Sequence, residues 1–263
     1  MGQTYQPQVV AHRGASADSA EHTLGAYQKA LASGADGLEC DVRLTADGHL
    51  VLLHDRDLRR TAASRGTVST LDLRDLDQLD FAAWKDPWRE LDDEAPEEDP
   101  ELRRVVTLRK LLETVADHDR RVEVAIETKH PTRYSGLVER RLAEMLAEFG
   151  WTGADSPARM MSFSINAVAR MKRLTPQLPL VNLVDTKRGW HQVRERVPAQ
   201  RILGPGVDFL REHRKIARKM AASGHRLHVW TVNTEDDLAL CESLGVSAVI
   251  TDKPAFILDL LGR

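Results

Sequence analysis

Three short stretches place acid–base and ionic groups where they could act together. Val9-Val10-Ala11-His12-Arg13-Gly14 is an apolar run of strand character that ends in an imidazole and a guanidinium. Gly37-Leu38-Glu39-Cys40-Asp41-Val42 is a second such run with two carboxylates two residues apart. On a strand, residues i and i+2 share a face, which sets Glu39 and Asp41 about 6.6 Å apart along one side. In a third run, residues 121–129 (RVEVAIETK), Glu123, Ala125, Glu127 and Lys129 share one face, and Val122, Val124 and Ile126 share the other.

Carboxylates about 4 Å apart repel by about 4 kcal/mol at an effective dielectric of 20, so a cluster of them needs a protonated member or a cation. All-oxygen donors favour Mg²⁺, Ca²⁺ or Mn²⁺ over zinc. With a cation in place, Arg13, Lys129 and two histidines leave positive charge over. An anionic ester, above all a phosphodiester, matches it, with Arg13 forking onto nonbridging oxygens. His12 and His54 on opposite sides of phosphorus would supply a general base and a general acid near neutral pH. Taken singly, each residue has a plainer reading. A glutamate at a strand end is usually solvated or paired, His12 alone would be a cap or core residue, and Trp230 is either core packing or an aromatic wall for the alcohol part of a substrate.

The elements that must position these groups follow a β–α rhythm. Residues 23–33 (TLGAYQKALAS) read as a helix between the first two strands, which makes a parallel strand–helix–strand unit. Asp47-Gly48 is a hairpin turn, and a connection this short permits only an antiparallel return. Leu50–His54 is therefore expected as an excursion that carries His54 over the mouth of the sheet. Residues 56–104 show little periodicity beyond 69–76, where Ser69 or Thr70 is expected to cap a short helix. Residues 92–101 form an acidic, proline-containing loop. Helices are expected over 108–116 (capped by Thr107), 136–149, 167–174, 212–223 and 235–244, with a last one after Pro254. Parallel strands at 9, 38, 122, 160, 180, 202, 228 and 248 make eight, which argues for a (β/α)₈ TIM barrel with a small hairpin-containing insertion after the second strand. The chain is expected to be one catalytic domain over 1–263, with the insertion at about 46–104 by this strand spacing. At the C-terminal strand ends, where such barrels place their active sites, stand His12-Arg13, Glu39, Asp41, Glu127, Lys129, Ser162, Ser164, Trp230, Asn233 and Asp252-Lys253.

Composition sets outer bounds. The 263 residues are 42% hydrophobic and 29% charged with a formal net charge of −3, which gives no basic surplus for nucleic acid. Two cysteines, Cys40 and Cys241, make no disulfide framework and suit a reducing compartment. No apolar run approaches the ~18 residues of a membrane span. MGQTYQPQ lacks the basic and apolar regions of a signal peptide, so a cytoplasmic location is expected. Oligomeric state is not readable from these features.

Together, His12-Arg13-Gly14, Glu21-His22-Thr23-Leu24, Glu39-Cys40-Asp41-Val42, Val51-Leu52-Leu53-His54-Asp55, Ile126-Glu127-Thr128-Lys129, Ser162-Phe163-Ser164, Trp230-Thr231-Val232-Asn233 and Ile250-Thr251-Asp252 resemble the glycerophosphodiester phosphodiesterase family in its order over nearly the whole chain. The resemblance implies a TIM barrel with a small insertion after the second strand. It implies that Glu39, Asp41 and Glu127 bind one divalent cation (Mg²⁺ or Ca²⁺ first, Mn²⁺ next) and that His12 and His54 are the acid–base pair. Arg13 and Lys129 would bind phosphate, and Trp230 would line the pocket. The implied reaction is hydrolysis of small glycerophosphodiesters, such as glycerophosphocholine or glycerophosphoethanolamine, to sn-glycerol 3-phosphate and an alcohol. The family usually has Pro-Glu-Asn-Thr where this chain has Ala20-Glu21-His22-Thr23, a departure that bears on metal preference or substrate range. Alternatives stay open at this point: phospholipase D-like hydrolysis of lysophospholipids, a Schiff-base aldolase using Lys129, and a phosphoester-binding barrel without turnover.

Overall fold

A computed structural model of the chain describes residues 5–88, 99–198 and 201–263. Its strands are β1 (Gln8–His12), β2 (Gly37–Leu44), β3 (Leu50–Leu52), β4 (Glu123–Thr128), β5 (Ala158–Ser162), β6 (Leu180–Val184), β7 (Ile202–Pro205), β8 (His228–Val229) and β9 (Ala248–Thr251). All but β3 pair in parallel, in the order β7-β6-β5-β4-β2-β1-β9-β8. Parallel bridges Leu203–Leu227 and Gly206–Trp230 bring the last edge back to the first. The result is the nearly closed eight-stranded TIM barrel expected from the sequence. Val10, Ala125, Met161, Val181, Leu183, Ile202, Ala248 and Ile250 pack together as a core within it. On β4 the outward Val124 and Ile126, with Val122 just before the strand, join a separate core shared with the helices, as the alternation requires.

The helices around the barrel are α1 (Leu24–Ala32), α4 (Leu108–Ala116), α5 (Leu137–Glu148), α6 (Ile165–Leu174), α7 (Lys187–Arg196), α8 (Val207–Glu212), α9 (Arg214–Ala221), α10 (Glu235–Ser243) and α11 (Pro254–Leu260); α2 (Arg59–Ala62) and α3 (Leu73–Leu76) lie between β3 and α4. Thr23, Thr107, Ser164, Thr186 and Thr234 each accept a backbone N–H at a helix N-terminus. The short helix near residue 70 starts later than the sequence suggests. Leu73 follows Asp72, whose N–H is accepted by Asp75 at 3.1 Å, and Ser69 and Thr70 sit in a 3₁₀ turn instead. The helix expected over 212–223 is found as α9, and a further short helix, α8, precedes it; between them stands His213, whose ring packs edge-on against Phe209 at 4.9 Å. Helix α7 escapes the sequence reading because only Trp190 and Val193 of its ten residues are buried.

β3 runs antiparallel to β2 with Val42 opposite Leu52, as the Asp47-Gly48 turn demands, and Gly48 supplies the positive φ of 90°. Beyond it, Val51, Leu53, Leu58, Val68, Leu76, Phe81 and Val105 form a small core of their own against the barrel rim. Residues 92–98 of the acidic loop lie outside the described residues, and Asp99 caps the 3₁₀ turn that follows by accepting from Glu101. No helix is long and apolar enough to cross a membrane among the described residues.

The loop after β4, which leaves Lys129, is fastened by Glu139 of α5. This fully buried carboxylate accepts from His130 Nε2 at 2.7 Å and from Arg170 Nη1 at 2.9 Å. His130, itself partly exposed, thus reaches a buried partner. Burial alone would raise the Glu139 carboxyl, but the His130 bond and the His130 and Arg170 charges hold it below the ordinary 4.5. A depressed carboxyl stabilises the fold above its unfolded value, and that contribution is lost as pH falls through the folded one. Glu139→Gln is therefore expected to cost about 1–3 kcal/mol of unfolding free energy in urea at neutral pH. The gap to the wild type should narrow towards about pH 3; a gap of constant size across that range would contradict this assignment.

Candidate active site

His12, Arg13, Glu39, His54, Glu127, Lys129, Trp230 and Thr231 line a single cavity of about 320 Å³. Its charged wall comes from the C-terminal ends of β1, β2 and β4, and its apolar wall from Met161, Phe163, Leu183, Trp230 and Ile250. All eight residues singled out from sequence meet here, Asp41 through its contacts with Arg13 and Lys129.

The parallel register explains the acidic cluster. Glu39 lies opposite Ala125 and Asp41 opposite Glu127, so two inward positions of β2 and one of β4 converge. Oxygens of Glu39, Asp41 and Glu127 lie within 4.8 Å of one another, and all three residues are buried. At that spacing each ionised pair repels by about 3–4 kcal/mol at an effective dielectric of 20. The groups respond by separating. Burial and the neighbouring Asp41 push Glu39 well above the usual carboxylate range and Glu127 to about 7. Burial pushes Asp41 upward too, but the His22 bond and the Lys129 and Arg13 charges hold it well below that range.

Counter-charges surround the cluster. Lys129 Nζ lies 2.9 Å from Asp41 Oδ1 and 3.0 Å from Glu127 Oε1. Arg13 Nε lies 3.0 Å from Asp41 Oδ2, and Arg13 Nη1 donates to Glu21 Oε1 at 3.1 Å. Asp41 Oδ1 is buried without a hydrogen bond, so Lys129 meets it as a charge rather than along a bonding direction. A buried, all-oxygen triad with one oxygen left over fits a hard divalent cation.

The two histidines are built alike. His12 Nδ1 meets Asp252 Oδ1 at 2.6 Å, and Asp252 is fixed by Ser16 Oγ at 2.9 Å and Asn233 Nδ2 at 2.6 Å. Burial raises Asp252, yet the His12, Asn233 and Ser16 contacts bring it to about 2, so it is ionised and His12 keeps its proton on Nδ1. His54 Nδ1 meets Asp55 Oδ1 at 2.8 Å, and burial with the Arg13 charge lowers the His54 imidazole. Arg43 of β2 donates twice to the His54 carbonyl, at 3.0 and 2.6 Å, and so fixes the loop that bears it.

Several of these partners were not assigned roles from sequence. Arg60 of α2 donates to Asp55 at 2.6 Å and to both oxygens of Glu21 at 2.8 and 2.7 Å. One exposed guanidinium therefore ties the carboxylate behind His54 to the carboxylate behind Arg13. Its position in a stretch without periodicity hid it. Asn233 and Asp252 were visible as strand-end polar residues, but the pairing of Asp252 with His12 across 240 residues was not. Conversely, Ser162 and Ser164 are structural, the first donating to Thr128 O at 2.9 Å and the second capping α6. The turn after β1 holds the site under strain, with Arg13 at φ 58° and His22 at φ 61°, tied by His22 N–H to Arg13 O at 3.0 Å. Gly14 is required beside them, since a Cβ there would stand 2.7 Å from the Ala26 backbone.

Residues 12–256 match the model of the glycerophosphoryl diester phosphodiesterase family. The chain is 42% identical over 252 residues to the "Probable glycerophosphodiester phosphodiesterase 1" of Mycobacterium tuberculosis, covering 94% of this chain and 90% of that one. It is 30% identical over 249 residues to the glycerophosphodiester phosphodiesterase of Bacillus subtilis, covering 93% and 83%. Among solved structures, a phosphodiesterase of Oleispira antarctica in complex with the product sn-glycerol-3-phosphate superposes with a TM-score of 0.81 at 25% identity, covering 98% of this chain and 97% of that one.

The acidic triad makes a prediction that needs no substrate. Mg²⁺ or Mn²⁺ is expected to raise the thermal midpoint, by an amount equivalent to about 2.7 kcal/mol at a hundredfold excess over Kd. Glu127→Gln should match or exceed the wild type in stability without metal, because a repulsion is removed, and should lose most of the cation-dependent rise. An undiminished rise in Glu127→Gln would show that the ion binds elsewhere.

Proposed function

The chain belongs to the glycerophosphoryl diester phosphodiesterase family and is a phosphoric diester hydrolase of that class, and we propose that it releases sn-glycerol 3-phosphate from small glycerophosphodiesters through His12 and His54. The observation that carries this reading is the meeting of both imidazoles, Arg13, Lys129 and two of the three clustered carboxylates on one cavity. In this reading the whole chain acts as one catalytic domain, with residues at about 46–104 as the rim insertion that delivers His54, as the barrel's strand spacing suggests.

Glu39, Asp41 and Glu127 would hold one divalent cation, Mg²⁺ or Ca²⁺ first and Mn²⁺ next, which when bound neutralises their repulsion and polarises a phosphoryl oxygen. The chain's own groups do the rest. Arg13 donates from Nη1 to Glu21 and faces Asp41 with Nε as a charge, which leaves Nη2 for a nonbridging oxygen. Lys129 supplies a point charge beside it. Asp252 and Asp55 hold the Nδ1 atoms, so Nε2 is the working nitrogen on each ring. One Nε2 takes the proton of the attacking oxygen, from water or from the glycerol 2-hydroxyl. The other, protonated, gives its proton to the departing alkoxide, so charge balances over the turnover. Attack by the 2-hydroxyl passes through a cyclic phosphate that water then opens.

The opposite end of the cavity favours a cationic alcohol. Phe163 and Trp230 meet edge to face at 5.6 Å, and Asp185 stands on the same lining. Aromatic rings with one carboxylate suit an ammonium, whereas the glycerol hydroxyls need the polar end. Glycerophosphocholine and glycerophosphoethanolamine meet both demands.

Assay of glycerol 3-phosphate release from glycerophosphocholine is expected to show activity that chelation removes and a divalent cation restores. His12→Ala and His54→Ala should each lose about 10²–10⁴-fold in kcat. Full turnover after thorough chelation would overturn the metal role, and full activity in both variants would overturn the acid–base pair.

A further inference from the structure

His22 touches the acidic cluster without lining the cavity, and both of its ring nitrogens are engaged. Nε2 lies 3.0 Å from Asp41 Oδ2, and Nδ1 lies 2.8 Å from the hydroxyl of Tyr27. Tyr27 belongs to α1 and is fully buried, and His22 is nearly so. An ionised carboxylate only accepts, so the proton of a neutral ring belongs on Nε2. Nδ1 then offers a lone pair, and the Tyr27 O–H donates to it. The approach of Tyr27 to the Glu39 carbonyl, at 3.4 Å, is the longer of its two contacts. The direction of the relay is therefore fixed as Tyr27 to His22 to Asp41.

The consequence falls on Asp41. Its Oδ2 is taken by His22 and faced by Arg13 Nε at 3.0 Å, while Oδ1 is buried without a hydrogen bond and points towards the Lys129 ammonium at 2.9 Å. We infer that the Tyr27–His22 pair is a positioning device that makes Asp41 a one-oxygen ligand through Oδ1 and so biases the triad towards Mg²⁺ over Ca²⁺. Mg²⁺ demands near-ideal octahedral geometry from rigid, single-oxygen donors, whereas Ca²⁺ accepts more ligands and bidentate carboxylates. Partners that orient a metal ligand from behind typically change affinity by 10–100-fold when removed. The inference rests on the metal reading above.

The test compares Mg²⁺ and Ca²⁺ dissociation constants by titration calorimetry on the full chain, for the wild type and for Tyr27→Phe, His22→Ala and His22→Asn. Thermal midpoints without metal and the ¹⁵N shifts of the His22 ring are recorded alongside. The wild-type ring should be protonated on Nε2. Tyr27→Phe, which keeps the buried ring, should weaken Mg²⁺ several-fold, and His22→Ala about 10–100-fold, each with a smaller loss for Ca²⁺. His22→Asn returns a donor to Asp41 from a residue that tolerates positive φ, and it should recover most of the Mg²⁺ affinity. An unchanged Mg²⁺/Ca²⁺ ratio in Tyr27→Phe and His22→Ala, with or without a lower thermal midpoint, would overturn the inference, as would a wild-type ring protonated on Nδ1. Absence of saturable binding to the wild type would overturn the metal reading with it, whereas wild-type binding with unaltered ratios in the variants would overturn the positioning role alone.

Discussion

Three carboxylates buried against one another impose the constraint around which this barrel is arranged. Glu39, Asp41 and Glu127 cannot all carry charge in a water-poor interior unless positive charge is placed among them. The chain meets the demand partly by itself, with Arg13 and Lys129 as fixed cations and with Glu39 and Glu127 shifted towards their neutral forms. In the proposed reading the same interaction would make the site receptive to a small ion and then to an anion, because a bound cation would favour the charged state of all three carboxylates and leave Lys129 and Arg13 Nη2 for a phosphate.

Around this centre the rim is built from carboxylates that hold other groups in place. Asp252 fixes His12, Asp55 fixes His54, and Glu21 fixes Arg13. Arg60 joins two of these three and so ties the α2 segment to the β1–α1 turn. Backbone strain at Arg13 and His22 sits in the same turn. Such strain persists only where the surroundings over-determine it, and here they do, through the His22 N–H bond to Arg13 O and the close packing of Gly14 on α1.

The barrel was legible in the sequence because parallel strands buried on both faces read as apolar runs, and charged residues interrupt those runs only at their ends. All eight parallel strands lie where the alternation put them. Glu39, Asp41 and Glu127 were legible for the same reason, since a carboxylate inside an apolar strand needs a partner. What stayed hidden depends on side chains far apart in the chain or on weak patterns. The Asp252–His12 contact joins β1 to the loop after β9, and no local spacing encodes it. Arg60 lies in a four-residue helix with one buried residue, too short to show a period. Helix α7 is polar over most of its surface, and His130 gave no sign that a buried glutamate waited nine residues on.

The most direct measurement of the central claim is anomalous diffraction from crystals soaked in Mn²⁺. A single strong peak within bonding distance of Glu39, Asp41 Oδ1 and Glu127 is expected, with the Lys129 ammonium displaced from the Asp41 oxygen. A peak elsewhere, or none with Lys129 still seated between Asp41 and Glu127, would contradict it.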